Sequence, residues 1–401
     1  MNTQDFEQQK AAESSTLNIG NDCHIEAILQ GGRSARALGV IIIVLFVGIL
    51  LSFLLNFGVS AYLNSAELVD DYYDGEEHPG IVFSDFANTF YLSSNIQKNI
   101  IYVDYYLFGR LPTDSVLIGE DEFLFPTNDE ENDYNYIADY LGELDLTGEE
   151  LNSYYTGIRE ITAEYEKRGI SCYFAIIPNS QTVYSERMPE FMGDISERTR
   201  LEAITGYFSR RGVNNFLNLT DTLIAAKETG ELYNNTEDSL NSRGAYYAYL
   251  AVLNMLPDSI TDIITPVELN SGDLVTHTTA GKVLARAASL ENVIKNKTVS
   301  LSTDFEQKYQ IPMRYEHYDM AFVKMLYKDE LPSLPRIQLQ FSNEWDRIIF
   351  IDYFSNTFGT TIYRTSVDFN EFVISKAEPS TVILFLHEKE LSKLADGSML
   401  P

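Results

Sequence analysis

The sequence predicts an α/β protein: a mostly parallel sheet flanked by helices, with a partly β insertion, following one N-terminal transmembrane helix. Three observations carry this reading. Short continuous apolar runs such as ISCYFAIIP, ending at Pro178, suit strands buried on both faces. Segments with apolar residues at spacings of three and four alternate with those runs, and strands alternating with helices imply a parallel sheet covered on both sides. Between Ala37 and Ala66 there is no charged residue, and LGVIIIVLFVGILLSFLLNF, from Leu38 to Phe57, is nearly all aliphatic or Phe. Roughly 20 apolar residues suffice to cross the hydrocarbon core as a helix.

The elements follow in order. Residues 1–36 form a polar tail and residues 37–63 the transmembrane helix. Arg33 and Arg36 precede the span, while Glu67, Asp70, Asp71, Asp74, Glu76 and Glu77 follow it, with no Lys or Arg before Lys98. The positive-inside bias therefore places the tail in the cytoplasm and the rest of the chain outside, at the cell membrane. Cys23 and Cys172 then lie on opposite sides and do not pair, so the outer part relies on a packed core. Residues 64–114 read as a stalk with a lead-in helix around Phe83 to Tyr105.

The main domain spans residues 115–401. SVLIGEDEFLF reads as strand, turn, strand. Thr147 and Glu150 form a capping box that opens a helix ended by Gly169. Helices follow over Ser196–Arg211, Asp221–Thr229 and Gly244–Leu256, with a strand over Asn215–Leu219. DRIIFIDYF, SVDFNEFVISKAEPS and TVILFLHEKE give strand, helix, strand. Residues at about 257–345 are an insertion with some β-structure. In parallel sheets the chemistry sits at the carboxyl ends of strands. Three loops leave such ends: Pro178-Asn179-Ser180, the Asn234–Asn241 loop, and Asp352-Tyr353-Phe354-Ser355.

The formal net charge is −30, which excludes nucleic acid and an anionic membrane surface as partners, since phosphate contacts need clustered Lys and Arg. No HExxH, CxxC or close His pair occurs, so neither a metal nor a cofactor is expected. The acidic run DEENDY, Asp129 to Tyr134, reads as a solvated face.

Five stretches together resemble one family. VLIGEDEFLF, AIIPNSQTVYSERMP, ELYNNTEDSLNSRGAYYAYLAVL, the SGDL of the insertion and IIFIDYFSNTFG match, in order, motifs of the SGNH-hydrolase-like proteins of AlgJ/AlgX/DHHW type. The resemblance runs from about Ser115 to the C-terminus. It implies O-acetylation of an extracellular polysaccharide, with a membrane-bound O-acyltransferase as partner. It also implies a Ser-His-Asp triad, in which His accepts the serine proton and Asp orients the imidazole.

The implied triad positions are replaced. The Asp and His of Asp-x-His-Trp fall on Glu237 and Ser239, and the Trp falls on Leu240. The Asp-Ser-Phe motif falls on Asp352-Tyr353-Phe354, which puts Tyr353 at the nucleophile position; the Lys of Pro-Asn-Lys becomes Ser180. Asn179, Asn241 and Asp352 remain as candidate substrate-binding residues. Asp238 and Ser239 read as turn or cap chemistry before a helix. Of the histidines His24, His78, His277, His317 and His387, none has the expected local context, and Ser355 would be aimed away from the site by a helix starting there. A phenol with an ordinary pKa near 10 needs an activating base. The sequence thus points to a catalytically degenerate scaffold or glycan-binding member, a pseudoenzyme. The alternatives are an active O-acyltransferase or esterase with a rearranged site, and a structural surface protein.

Overall fold

The computed structural model describes residues 46–48, 113–270, 272–309, 313–317, 323–328, 334–342 and 344–401; the side chains of 313–317, 323–328, 344, 345 and 347 lie outside that description. The chain divides into two units, residues 1–100 and 101–401. In the first, only Phe46–Gly48 is described, as helix. The expected tail, membrane span, stalk and lead-in helix otherwise lie outside the described residues. Among the described residues no helix is long and apolar enough to cross a membrane.

The second unit opens with a hairpin, β1 (Val116–Ile118) antiparallel to β2 (Leu124–Pro126). A smaller hairpin, β3 (Asn128–Asp129) with β4 (Tyr134–Asn135), follows. Helix α1 (Gly148–Glu166) carries the capping box: Thr147 Oγ1 accepts from Glu150 N and the Glu150 carboxylate accepts from Thr147 N. Next come β5 (Ser171–Ile177), the short α2 (Ser180–Val183), α3 (Arg200–Arg210), β6 (Phe216–Asn218), α4 (Thr220–Ala226) and α5 (Ser242–Met255). A separate two-stranded sheet pairs β7 (Leu274–Ala280) with β8 (Lys295–Leu301). The chain continues through β9 (Met313–His317), β10 (Val323–Lys328), β11 (Arg336–Phe341), α6 (Glu344–Thr357), β12 (Thr360–Arg364), α7 (Glu371–Ala377) and β13 (Thr381–His387).

The main sheet runs β6-β5-β13-β11-β12-β10-β9. The first five strands are mutually parallel, and β10 and β9 extend the sheet antiparallel. Side-chain alternation divides the core into two layers. Cys172, Phe174, Ile176, Val382, Leu384 and Leu386 face Tyr154, Ile158, Leu201 and Phe208 of α1 and α3. Ala175, Ile177, Ile383, Phe385, Leu339 and Phe341 face Tyr249, Val252, Phe350 and Tyr353 of α5 and α6. Each such side chain fully buried contributes roughly 1.5–3 kcal/mol. Cys172 is a free, buried thiol within the first layer.

One expectation is corrected. DRIIFIDYF is not a strand; it lies within α6. Within DRIIFIDYF the buried positions Asp346, Ile349, Phe350, Tyr353 and Phe354 recur at three and four, the period of a helix. The strand is the preceding RIQLQF, β11, which pairs in parallel with both β12 and β13. Asp352, Tyr353, Phe354 and Ser355 are therefore helical residues, not a loop at the carboxyl edge of the sheet. The residue that leaves β11 at that edge is Ser342.

Candidate functional site

The residues that follow β5 meet the loop 234–241 on one side and the residue that follows β13 on the other. That loop is built by side chains closing on main chain. Asn234 N and Nδ2 donate to Ser239 O and Oγ, both at 3.0 Å. Asn235 is buried; its Nδ2 donates to Glu122 O at 3.1 Å and Lys295 O at 3.0 Å, and its Oδ1 accepts from Lys297 N at 2.7 Å. Thr236 Oγ1 donates to Asn296 Oδ1 at 2.8 Å and accepts from Lys282 N at 3.0 Å. Asn241 caps α5, its Oδ1 accepting from Arg243 N at 2.9 Å and Gly244 N at 3.2 Å. Its Nδ2 donates to Glu231 O at 2.9 Å and Tyr233 O at 3.3 Å, so this candidate substrate-binding residue is consumed by structure.

Asp238 points the other way, into the edge of the sheet. Its Oδ1 accepts from Ser180 N at 2.8 Å and its Oδ2 from Tyr136 OH at 3.1 Å. Asn179 lies beside it: its N donates to Glu388 Oε2 at 2.8 Å and its Nδ2 to Tyr134 OH at 2.8 Å. Thr182 Oγ1 donates to the same Glu388 oxygen at 2.8 Å. Tyr134 OH in turn donates to Asp139 Oδ2 at 2.5 Å, and Arg200 N donates to Asp139 Oδ1 at 2.6 Å. Burial, followed by the Asp139 charge, raises the pKa of Glu388 and favours its protonated form. Lys389 pairs with Asp129 at 2.9 Å, and the Asp238 charge holds its pKa up against burial. Asp129, read from sequence as a solvated residue, is thus part of this network.

His387 ends β13, and its Nε2 lies 2.6 Å from Asp346 Oδ2 at the start of α6. Burial pulls its pKa down, but the Asp346 carboxylate outweighs that, with help from Glu390, and raises it to about 9. That shift favours the protonated imidazole, paired with the Asp346 carboxylate. Its backbone N donates to Glu390 Oε2 at 3.1 Å. Burial would raise the Glu390 carboxyl, yet His387, Lys393 and Ser342 hold it low.

The positions implied by the family triad do not converge on a nucleophile and base. Ser239 takes a hydrogen bond from Asn234 within its own loop. Glu237 is half-buried, and burial raises its pKa against the nearby charges of Lys282 and Arg286. Tyr353 is fully enclosed in α6 and its OH donates to Ser242 O at 2.7 Å. Burial, followed by the Asp352 charge, raises its pKa well above the ordinary phenol value. Asp352, another candidate substrate-binding residue, sits mid-helix, with its carbonyl accepting from Asn356 Nδ2 at 2.6 Å. His277 is exposed on β7, 2.9 Å from Ser300 Oγ; His24, His78 and the His317 side chain lie outside the described residues. Among the described residues, no cluster of three His, Cys, Asp or Glu residues is arranged to hold a metal ion.

Sequence reasoning missed Tyr134, Tyr136, Asp139, Asp346 and Glu388. Apart from the Tyr134–Asp139 bond, which spans five positions, their side-chain partners are remote in sequence. Asp238 provides a direct check of the network. Asp238→Ala removes the acceptor for Ser180 N and Tyr136 OH, and we expect a stability loss of about 1–3 kcal/mol in urea unfolding. Asp238→Asn should fall between the two. An unchanged midpoint for both variants would mean that the network carries no weight.

The family model described as "SGNH hydrolase-like domain, acetyltransferase AlgX" matches residues 116–316, half of the chain. The chain belongs to the AlgX family of SGNH hydrolase-like proteins. Similar solved structures include the O-acetyltransferase domain of Pseudomonas putida AlgJ, at 14% identity over 69% of this chain and 92% of that one, with a TM-score of 0.43. Bacillus cereus PatB1 with a sulfonyl adduct is 12% identical over 71% and 97%, with a TM-score of 0.48. Pseudomonas aeruginosa AlgX is 14% identical over 72% and 69%, with a TM-score of 0.43. No curated protein matches the chain. Within this AlgX-family chain, the loop 234–241 keeps its place at the sheet edge while Glu237 and Ser239 stand where the resemblance implies Asp and His.

Proposed function

We propose that this chain is a membrane-anchored, extracytoplasmic AlgX-family protein that has lost acetyl transfer. It serves as a scaffold or glycan-binding component of cell-envelope or exopolysaccharide acetylation. Its partners are a membrane-bound O-acyltransferase and an extracellular polysaccharide. The observation that carries the reading is the site itself. Ser239 is tied to Asn234, Tyr353 is sealed inside α6, and His387, at the end of β13, is engaged by Asp346 at 2.6 Å. The anchoring rests on the apolar run and the flanking Arg33 and Arg36. Full-length protein in detergent micelles, given an acetyl ester, is expected to show no turnover above background. Robust turnover that Tyr353→Phe or Glu237→Gln abolishes would overturn the proposal.

One observation favours a second reading, a rearranged esterase: His387 and a carboxylate are paired at 2.6 Å, as a base and its orienting group would be. Such an enzyme would work only where His387 is neutral. Turnover appearing above about pH 9 and lost in His387→Gln would support it.

A further inference from the structure

A cleft of about 270 Å³ lies between α1 and the segment that runs from the end of α3 into β6. It is remote from the 234–241 loop in two senses. Helices α1 and α3 cover the layer of the sheet opposite α5 and α6, and residues 211–215 lead into the amino end of β6 rather than leaving a carboxyl end. Tyr155 of α1 lines the cleft and meets Tyr207 of α3 edge to face, ring centroids 6.3 Å apart. Arg211, the residue that follows α3, places its guanidinium 3.9 Å from the Tyr207 centroid and 5.2 Å from that of Tyr155. Arg159, one turn along α1 from Tyr155, places its own 5.7 Å from the same Tyr155 centroid. Both arginines line the cleft and both are exposed.

Two features point to a ligand and to its class. The first is positive charge left without a counter-charge. Acidic residues number 59 and basic ones 29, so a cation in this chain has carboxylates to spare. Lys167, Arg168, Arg187, Arg198, Arg200 and Lys227 each lie against one. Arg159 and Arg211 form no ion pair among the described residues, although they share one ring and repel each other. An oxyanion between them would remove that repulsion. The second feature is geometry. A cation–π contact restrains a guanidinium while sparing N–H donors, and those donors match the paired oxygens of a carboxylate or phosphate. Glu166 and Asn214 line the same cleft, both exposed, and Glu166 too forms no ion pair among the described residues. A hydroxyl both donates and accepts, so hydroxyls suit that carboxylate and that amide, whereas a second anionic group there would be repelled by Glu166.

We propose that this cleft binds an oxyanionic sugar unit, its carboxylate or phosphate received by Arg159 and Arg211 and its hydroxyls by Glu166 and Asn214. The inference rests on the glycan-binding reading above and deepens it: the recognised unit carries a negative charge, and the domain holds it on the face away from the replaced triad positions.

The test uses full-length protein in micelles of an uncharged detergent, titrated by calorimetry in phosphate-free buffer with four probes: a galacturonate hexamer, glucose 1-phosphate, inorganic phosphate and a β-1,4-linked glucose hexamer. The galacturonate hexamer or glucose 1-phosphate should bind, and more tightly than either inorganic phosphate or the neutral hexamer; the tighter of the two identifies the source of the oxyanion. Arg159→Ala and Arg211→Ala, both exposed changes, should each weaken that binding about tenfold, the loss expected when a hydrogen bond to a charged group is removed. Anionic-sugar binding unchanged in both variants would overturn the site while leaving the glycan-binding reading standing, and so would binding of the neutral hexamer alone. Inorganic phosphate bound as tightly as either anionic sugar would overturn the sugar assignment. Binding of none of the four would overturn the site and the glycan-binding reading together.

Discussion

His387→Ala is expected to destabilise the protein by about 3–5 kcal/mol, the loss typical of leaving one member of a buried ion pair without its counter-charge. His387 and Asp346 are both buried, and their contact at 2.6 Å ties the end of β13 to the start of α6. The pair also sets a pH dependence. The His387 pKa rises from 6.5 to about 9 on folding, so its contribution is fully present below pH 6.5 and is lost as pH climbs through about 9. The full swing is on the order of 3 kcal/mol. Glu388 acts in the same direction, because burial favours its neutral form. Urea unfolding midpoints should therefore fall between pH 6.5 and 9.5, and fall less steeply in His387→Ala. A wild-type midpoint flat across that range would show that the imidazole is not held as a cation.

Gly244→Ala should be the other large loss, although its local sign is favourable. Alanine in a helix interior is better than glycine by about 1 kcal/mol. At Gly244, however, a Cβ would lie 2.3 Å from Leu232 O and 2.7 Å from Leu240 Cδ2. The nearer atom is backbone, held in place by the bond from Asn241 N to Leu232 O at 2.8 Å. Overpacking of this kind costs about 1–3 kcal/mol and sometimes more, so the clash outweighs the propensity. Thermal unfolding of the variant against wild type measures it. A stabilised variant would mean that α5 can shift away from the loop.

What the sequence made legible is what local pattern carries. Thr147 and Glu150 announced α1 because a capping box is complete within four residues. ISCYFAIIP announced β5 because a run that short and apolar has few other uses. The misreading at DRIIFIDYF has a physical reason. A short apolar run is ambiguous between strand and helix, and the true strand, RIQLQF, alternates polar and apolar like a half-exposed one. Its Gln338 and Gln340 are nevertheless fully buried, and the side chain of Gln340 meets Tyr165 OH at 3.1 Å. The loop after β5 and residues 234–241 were legible as elements of the sheet's carboxyl edge, and the bond from Ser180 N to Asp238 Oδ1 joins them. The polar wiring of that edge was not legible. Asp238 reaches Tyr136 across 102 positions and Ser180 across 58, and His387 reaches Asp346 across 41. No spacing rule connects residues so far apart.

The 234–241 loop takes its shape from Asn234, Asn235, Thr236 and Asn241; the Ser239 side chain joins that frame by accepting from Asn234 Nδ2, whereas the Glu237 side chain takes part in none of these bonds. The architecture of the loop and the identity of residue 237 are thus separable under mutation. Substitutions at 237 leave this frame intact, whereas a change at any of the four supports, or the loss of the Ser239 hydroxyl, removes part of it.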